Sequence, residues 1–383
     1  MRNGSPPRPR RPEHSRRRCL LFGSLLPIGW ILQLLGSAFP DVTETWFSRG
    51  VGPWVQSLIG IPVRILPFSL AELLLIGLGI YVSLALGRGL LAWRKHTLGL
   101  GAMLERGGLR LLAAGGLIYF FFVIAWGMNY ARPTFAENAG WELGTEKAGD
   151  LERLAERLAR RASELRVDLE EDEQGIFRLR GGKQGVLEDL PGLFEGLAGA
   201  YPFLEGPAPI SRRPWISPLL TVLGISGIFS PFTGESLVNG TLLDLPFAFA
   251  ACHEAAHGKG VAREDEANFV AYMACMFSDR TDLQYAGTVV ALNYSLNDLF
   301  LNDAGRAREL LGSLSPAVTR DRLAMAEFWR PKTRTLRILR VVGEEANDTY
   351  LKSQRQSAGT ASYGHVVRLL IADERVRTSG AER

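Results

Sequence analysis

The pentapeptide His253-Glu254-Ala255-Ala256-His257 contains the residue types from which a hydrolytic metal site is built. On a helix, positions four apart lie one turn apart on one face, so both imidazoles can point at one centre. Zinc accepts such nitrogen ligands. Glu254 is displaced by one position. It can stand beside the metal and take a proton from a zinc-bound water, which is the physical content of H-E-x-x-H. Two histidines and a glutamate in an otherwise apolar helix are costly unless they satisfy one another or hold a metal.

A catalytic zinc needs a third protein ligand and one open position. "HGKG" (257–260) supplies glycines at which the chain can turn back, and the acids Glu264, Asp265 and Glu266 follow. Glu264 and Asn268 are again four apart and share a face. Glu264 is therefore the expected third ligand, with Asn268 hydrogen-bonded to a ligating histidine. Glu266 is the alternative ligand. If neither binds, the acids simply favour the positive end of the second helix.

Those residues need two buried helices to position them. "LLDLPFAFAACHEAAHG" (242–258) is nearly all apolar, with Asp244 as its cap, Pro246 in its first turn and Gly258 at its end. "REDEANFVAYMACMF" (263–277) begins the second. The three cysteines, Cys19, Cys252 and Cys275, form no CxxC spacing, and Cys252 and Cys275 are expected to be free thiols buried in helices.

Upstream, "PWISPLLTVLGISGIFSPFTGESLVNG" (214–240) reads as short strands and turns. "LERLAERLARRASEL" (151–165) lines up Leu151, Leu154, Ala155, Leu158, Ala162 and Leu165, with its charges on a solvated face. Residues 183–204 read as a helix broken at Pro191 and ending near Gly199. Further helices are expected at 284–300, 317–329, 341–352 and 362–373.

The N-terminal third has a different solvent. Residues 1–18 carry seven arginines and several prolines and are expected to form a disordered basic cytoplasmic tail. Three apolar runs follow, at 19–39, 70–87 and 111–130. Each approaches the ~20 residues that span a bilayer. Pro27 is expected to kink the first. Arg88, Arg94, Lys95, Arg106 and Arg110 crowd the second loop, whereas Arg49 and Arg64 of the first loop are offset by Asp41 and Glu44. The positive-inside rule then leaves the N-terminus in the cytoplasm and everything beyond the third span outside it. Trp46, Phe47 and Trp54, in the outer 40–67 loop, suit the membrane interface. Lys and Arg (44) exceed Asp and Glu (40) by only four, and no basic groove or zinc-finger spacing points to nucleic acid.

The motif His253–His257 followed by Glu264-x-x-Ala267-Asn268 resembles the zincin metallopeptidases of the glutamate-ligand kind. The wider chain resembles a bacterial family of membrane proteins, domain-of-unknown-function family 3810. "WGMNYARP" (126–133), "GIFSPFTGESLVN" (227–239), residues 245–275, "NDTYLKSQRQSAG" (347–359) and "SYGHVVRLL" (362–370) carry that likeness. It implies a zinc peptidase and no particular substrate. The zincin likeness also implies an edge strand above the active helix, for which 227–232 is the candidate. Glu235 and Asn239 are candidates to line the cleft. Tyr363 and His365 are candidate catalytic donors to a tetrahedral oxyanion, with Tyr350 and Arg355 as alternatives.

The expected fold class is an α-helical membrane anchor of three transmembrane helices (19–133) plus a mainly α, α+β zincin-like extracytoplasmic domain (134–376), ending in a short disordered tail (377–383). The expected activity is peptide-bond hydrolysis at Zn2+, with the lipid bilayer and a peptide or protein substrate as partners. One alternative is a non-catalytic zincin-like membrane protein that uses metal for structure or sensing. Another is an intramembrane protease, which the closely spaced acids and the absence of an NPDG-like stretch disfavour.

Overall fold

A computed structural model describes residues 11–94, 99–144, 149–330, 341 and 363–381. Three helical stretches are long and apolar enough to cross a membrane: Arg16–Ala38, Leu70–Arg94 and Met103–Ala125. The first combines α1 (Arg11–Gly23) and α2 (Leu25–Ala38). They part at Ser24 because Pro27 has no N–H to give the carbonyl of Gly23. Residues 11–18 thus belong to a helix, not to a disordered tail, with Pro12 tolerated in its first turn. The others are α5 (Leu70–Arg94) and α6 (Leu100–Ala125). The third span ends at Ala125, short of the expected residue 130, because Trp126 leaves the helical region at φ −157°.

Close approaches fix the relative direction of the first and third spans. A Cβ on Gly23 would meet Leu112, one on Gly29 would meet Tyr119, and one on Gly36 would meet Met128. Rising numbers face rising numbers, so α1–α2 and α6 run parallel and finish on the same side. The connection after α2 is helical rather than a loop. It runs through α3 (Pro40–Val42), a π-helical stretch Thr43–Val51 and α4 (Gly52–Ile65).

The remaining chain is a helical bundle flanked by one small sheet. Beside the short helices α7 (Phe135–Ala139) and α10 (Ser217–Val222), its central elements are α8 (Asp150–Leu165), α9 (Gly182–Ala200), α11 (Asp244–Gly258), α12 (Glu264–Phe277), α13 (Thr281–Asn302) and a last helix, Tyr363–Ala381. That last helix covers most of the stretch expected to be a disordered tail. Helix α9 runs unbroken through Pro191, because Val186, Leu187, Leu190, Phe194 and Leu197 are all buried along one face. Their burial outweighs one lost hydrogen bond. On α8 the expected stripe is the one that faces the core.

Three strands, β1 (Ile210–Arg212), β2 (Gly227–Ser230) and β3 (Glu235–Val238), pair in the order β1-β3-β2. β1 is parallel to β3 and β2 antiparallel to it. The 214–240 stretch also holds a short helix, Ser217–Val222, where only strands and turns were expected. Asp244 is not the cap of α11. Leu243 is, and Asp244 instead accepts from the Leu179 N–H at 3.1 Å.

Candidate metal centre

Helix α11 buries Phe247, Ala248, Ala251, Cys252, Ala255 and Ala256 and leaves its histidine face toward α12. Ser236 of β3 donates to the carbonyl of Glu254 at 2.8 Å, tying sheet to helix. The chain reverses at Gly260, whose φ of +77° favours glycine. A Cβ there would also stand 3.1 Å from Asn129 Oδ1.

The reversal brings Glu264 back over the histidines. His253 Nε2 and His257 Nε2 are 3.1 Å apart. Glu264 Oε2 lies 3.2 Å from the first, and Oε1 lies 3.6 Å from the second. Ligands on a tetrahedral zinc at ~2.05 Å would be ~3.3 Å from one another. Among the described residues, this is the group of His, Cys, Asp and Glu side chains that could hold an ion. His257 Nδ1 is 2.7 Å from the carbonyl of Val261. A carbonyl only accepts, so Nδ1 carries the hydrogen and the Nε2 lone pair is free for a metal. The Glu264 side chain is 30% exposed, against 13% and 8% for the histidines, so one side of the cluster is open to solvent.

Within the cluster the charges sort themselves. Burial lowers the proton affinity of His253, but the hydrogen bond and charge of Glu264, with the charge of Glu254, outweigh it and push the imidazole up to about 9. Burial favours neutral Glu264, yet both histidines bring it down to about 2. Burial holds His257 down at about 4. Glu254 is raised to about 8, chiefly by burial, with the charge of Glu264 adding to it. A buried carboxyl with a proton affinity near neutrality suits proton transfer.

Strand β2 closes over Glu254. The main-chain amide of Phe229 favours the ionised carboxylate, against burial that raises its proton affinity. A Cβ on Gly227 would fall 2.5 Å from Glu254 Cγ and Oε1, so only glycine permits this approach. On its other side β2 pairs with β3, and Ser226 O accepts from Asn239 N at 2.9 Å. Strand alternation therefore turns the amides of Gly227 and Phe229 outward, away from β3.

The segment that leaves the third span forms the other wall. Trp126 Nε1 donates to the carbonyl of His257 at 2.9 Å, and its ring stands edge-on to that imidazole with centroids 6.1 Å apart. Arg132 forms a two-pronged pair with Glu44, both contacts at 2.7 Å, and donates to the carbonyls of Gly260 and Phe203. Gln56 of α4 donates to the carbonyls of Ala125 and Pro231. Membrane-side and bundle residues thus pack as one unit across the 133/134 boundary.

The profile of the family described as Protein of unknown function (DUF3810) matches residues 47–371, crossing that boundary. The chain belongs to the DUF3810 family. No curated protein and no solved structure matches it.

In this DUF3810 protein the structure brings His253, His257, Glu254 and Glu264 together, with Asn268 beside His253. Asn268 helps to raise that imidazole, although His253 Nδ1 makes no hydrogen bond. Glu266 is not in the cluster. It is buried, accepting from Phe135 N at 3.0 Å and Arg263 at 3.2 Å. Glu235 and Asn239 are fully buried and do not line the cleft. Glu235 accepts from the Leu70 and Ala71 N–H groups at the start of α5, and Asn239 braces Thr221, Ile225 and Thr241.

His365 is exposed, and no described hydrogen bond joins it to the cluster. Phe249 on α11 meets Tyr294 on α13, and Gly364 approaches Asp298, one turn beyond Tyr294. Tyr363 is the first residue of the last helix. Tyr350, Arg355 and the helix expected at 341–352 (apart from residue 341) fall outside the described residues. The Sγ atoms of Cys252 and Cys275 are 3.8 Å apart, and both thiols are free.

Proposed function

We propose that this DUF3810 protein is a membrane-anchored, zincin-like peptidase in which His253, His257 and Glu264 hold Zn2+ and Glu254 is the general base. The observation that carries the reading is the convergence of His253 Nε2, His257 Nε2 and the Glu264 carboxylate, 3.1–3.6 Å from one another and open on one side, beside a buried carboxyl under an edge strand. The donor set fits the metal, since two neutral imidazoles and a carboxylate are common zinc ligands. When bound, zinc supplies Lewis acidity to the scissile carbonyl and to water.

The protein's own residues do the rest. Gly227 offers an outward N–H and C=O to an extended peptide, as β-augmentation requires. Glu254 takes the proton of the attacking water and delivers it to the leaving amine, a role favoured by its raised proton affinity. The Val261 carbonyl orients the His257 imidazole, and Asn268 stands beside His253. Tyr363 and His365 are the candidates to donate to the oxyanion. The arginine distribution of the loops favours a site outside the cytoplasm.

Metal analysis and a mixed-sequence peptide digest of the purified full chain test this reading. One zinc per chain is expected. Glu254→Gln should keep the metal and lose hydrolysis ~10²–10⁴-fold, and His257→Ala should lose both. Undiminished activity in Glu254→Gln defeats the mechanism. A metal centre used for structure or sensing is the second reading, favoured by the enclosure of Glu254, which is 4% exposed. Zinc-loaded protein that cleaves nothing in the digest would point to it.

A further inference from the structure

The helical stretch from Pro40 to Ile65 has its polarity reversed. On α4 the buried positions are Gly52, Gln56, Gly60 and Val63. The opposite face presents Trp54, Leu58, Ile61 and Ile65, with Trp54 and Ile65 each 79% exposed. Trp46, 73% exposed, adds to it from the π-helical stretch. A helix on a water-soluble surface shows the opposite arrangement. A continuous apolar stripe of this kind marks an interaction surface.

Both ends of the stretch lie on one side of the spans. It starts where α2 ends, and α2 is parallel to α6. In its middle, Gln56 bonds the carbonyl of Ala125, the last residue of α6. At its far end Arg212 donates to the carbonyls of Val63 and Leu66, and Glu235 accepts from the first amides of α5. At 1.5 Å per residue its α4 part alone is ~21 Å long, and the π-helical stretch extends it. A helix of that length with both ends on the same side lies along the surface rather than across it.

We infer that residues 40–65 form an in-plane helix docked into the lipid leaflet on the metal site's side, with Trp46, Trp54, Leu58, Ile61 and Ile65 immersed. The stripe continues the lipid-facing surface of the spans, joining exposed Phe39 at the end of one to exposed Leu73 and Leu74 near the start of the next. It carries no charge, and its tryptophans are residues of the membrane interface. The buried face holds both walls of the cluster. Gln56 bonds the carbonyl of Pro231, just after β2, and Glu44 holds Arg132 against Gly260, in the turn between the ligand helices. The metal centre therefore rides directly on the bilayer surface. This docking is independent of the peptidase chemistry.

Nitroxide labels at Leu58→Cys and Ile61→Cys test it, in Cys19→Ser full-length chain in nanodiscs of phosphatidylcholine and phosphatidylglycerol. Val167→Cys, on the bundle and 75% exposed, is the control. Each labelled protein is first checked for native melting, and Ile65→Cys replaces a position that fails. Labels at 58 and 61 should meet dissolved oxygen in preference to a water-soluble nickel chelate, at a depth of about 5–10 Å, with the reverse preference at 167. Chelate access at 58 and 61 equal to that at 167 overturns the proposal. Exclusion of both reagents with dipolar broadening also overturns it, by showing that a second copy covers the stripe.

Discussion

The indole Nε1 of Trp126, the residue that ends the third span, donates to the main-chain carbonyl of His257 at 2.9 Å. A proposed metal ligand is thereby held by the membrane helix itself. Trp126→Phe keeps the ring packing and removes the donor. It should weaken zinc binding ~10-fold, within the range found for outer-sphere partners of metal sites. Chelator competition measures this, and an unchanged affinity would show that the bond does not orient the imidazole.

Gly227→Ala separates metal binding from proton transfer. The new methyl would stand 2.5 Å from Glu254 Cγ and Oε1. Either the carboxylate moves or β2 retreats, and both disturb the proposed base while leaving the three ligands in place. The expected result is stoichiometric zinc, hydrolysis reduced ~10²-fold or more, and a stability loss of ~1–3 kcal/mol from overpacking. Metal content, peptide turnover and denaturant melts read these separately.

Zinc loading should release a proton at pH 7. Metal-free His253 is held protonated up to about 9 by Glu264, while His257 is neutral above about 4. The metal must displace the His253 proton, so affinity should rise about tenfold per pH unit and level off above about 9. Calorimetry in two buffers of different ionisation enthalpy counts the proton. The metal-free fold responds through the same pair. The His253 folded-state value lies above its unfolded one, so its stabilisation is complete below ~6.5 and is lost as pH rises through about 9. The Glu264 value is depressed, so its share is present above ~4.3 and is lost as pH falls through about 2.

The local half of this site was legible in the sequence. A four-residue spacing fixed the shared face of His253 and His257, and the same spacing favoured Glu264, with Asn268, over Glu266. The partners that brace these residues were not legible. Trp126 and His257 are 131 positions apart, and Arg132 and Glu44 are 88 apart, so no periodicity joins them. The 40–65 stretch read as a loop because its prolines and glycines suggest breaks. Of the buried positions on α4, Gly52, Gln56, Gly60 and Val63, only the last is a large apolar residue, the opposite of the pattern that marks a soluble helix. Pro191 misled for a related reason, since the burial of five side chains on α9 is a tertiary effect invisible to local propensity.

The Arg132–Glu44 pair provides the sharpest test of whether membrane-side residues are part of the site. Both side chains are under 10% exposed, and the guanidinium also satisfies the carbonyls of Gly260 and Phe203. Glu44→Gln leaves a buried cation with weakened compensation, at a cost of up to ~3–5 kcal/mol. The strain falls on the turn at Gly260, between the helices that carry His257 and Glu264. Zinc affinity should therefore drop together with stability. A core substitution of similar cost far from that turn, such as Leu154→Ala on α8, should lower the melting temperature while leaving zinc affinity unchanged. If the two variants lose zinc affinity equally at matched stability, the pair is ordinary packing and the coupling between membrane segment and metal centre does not exist.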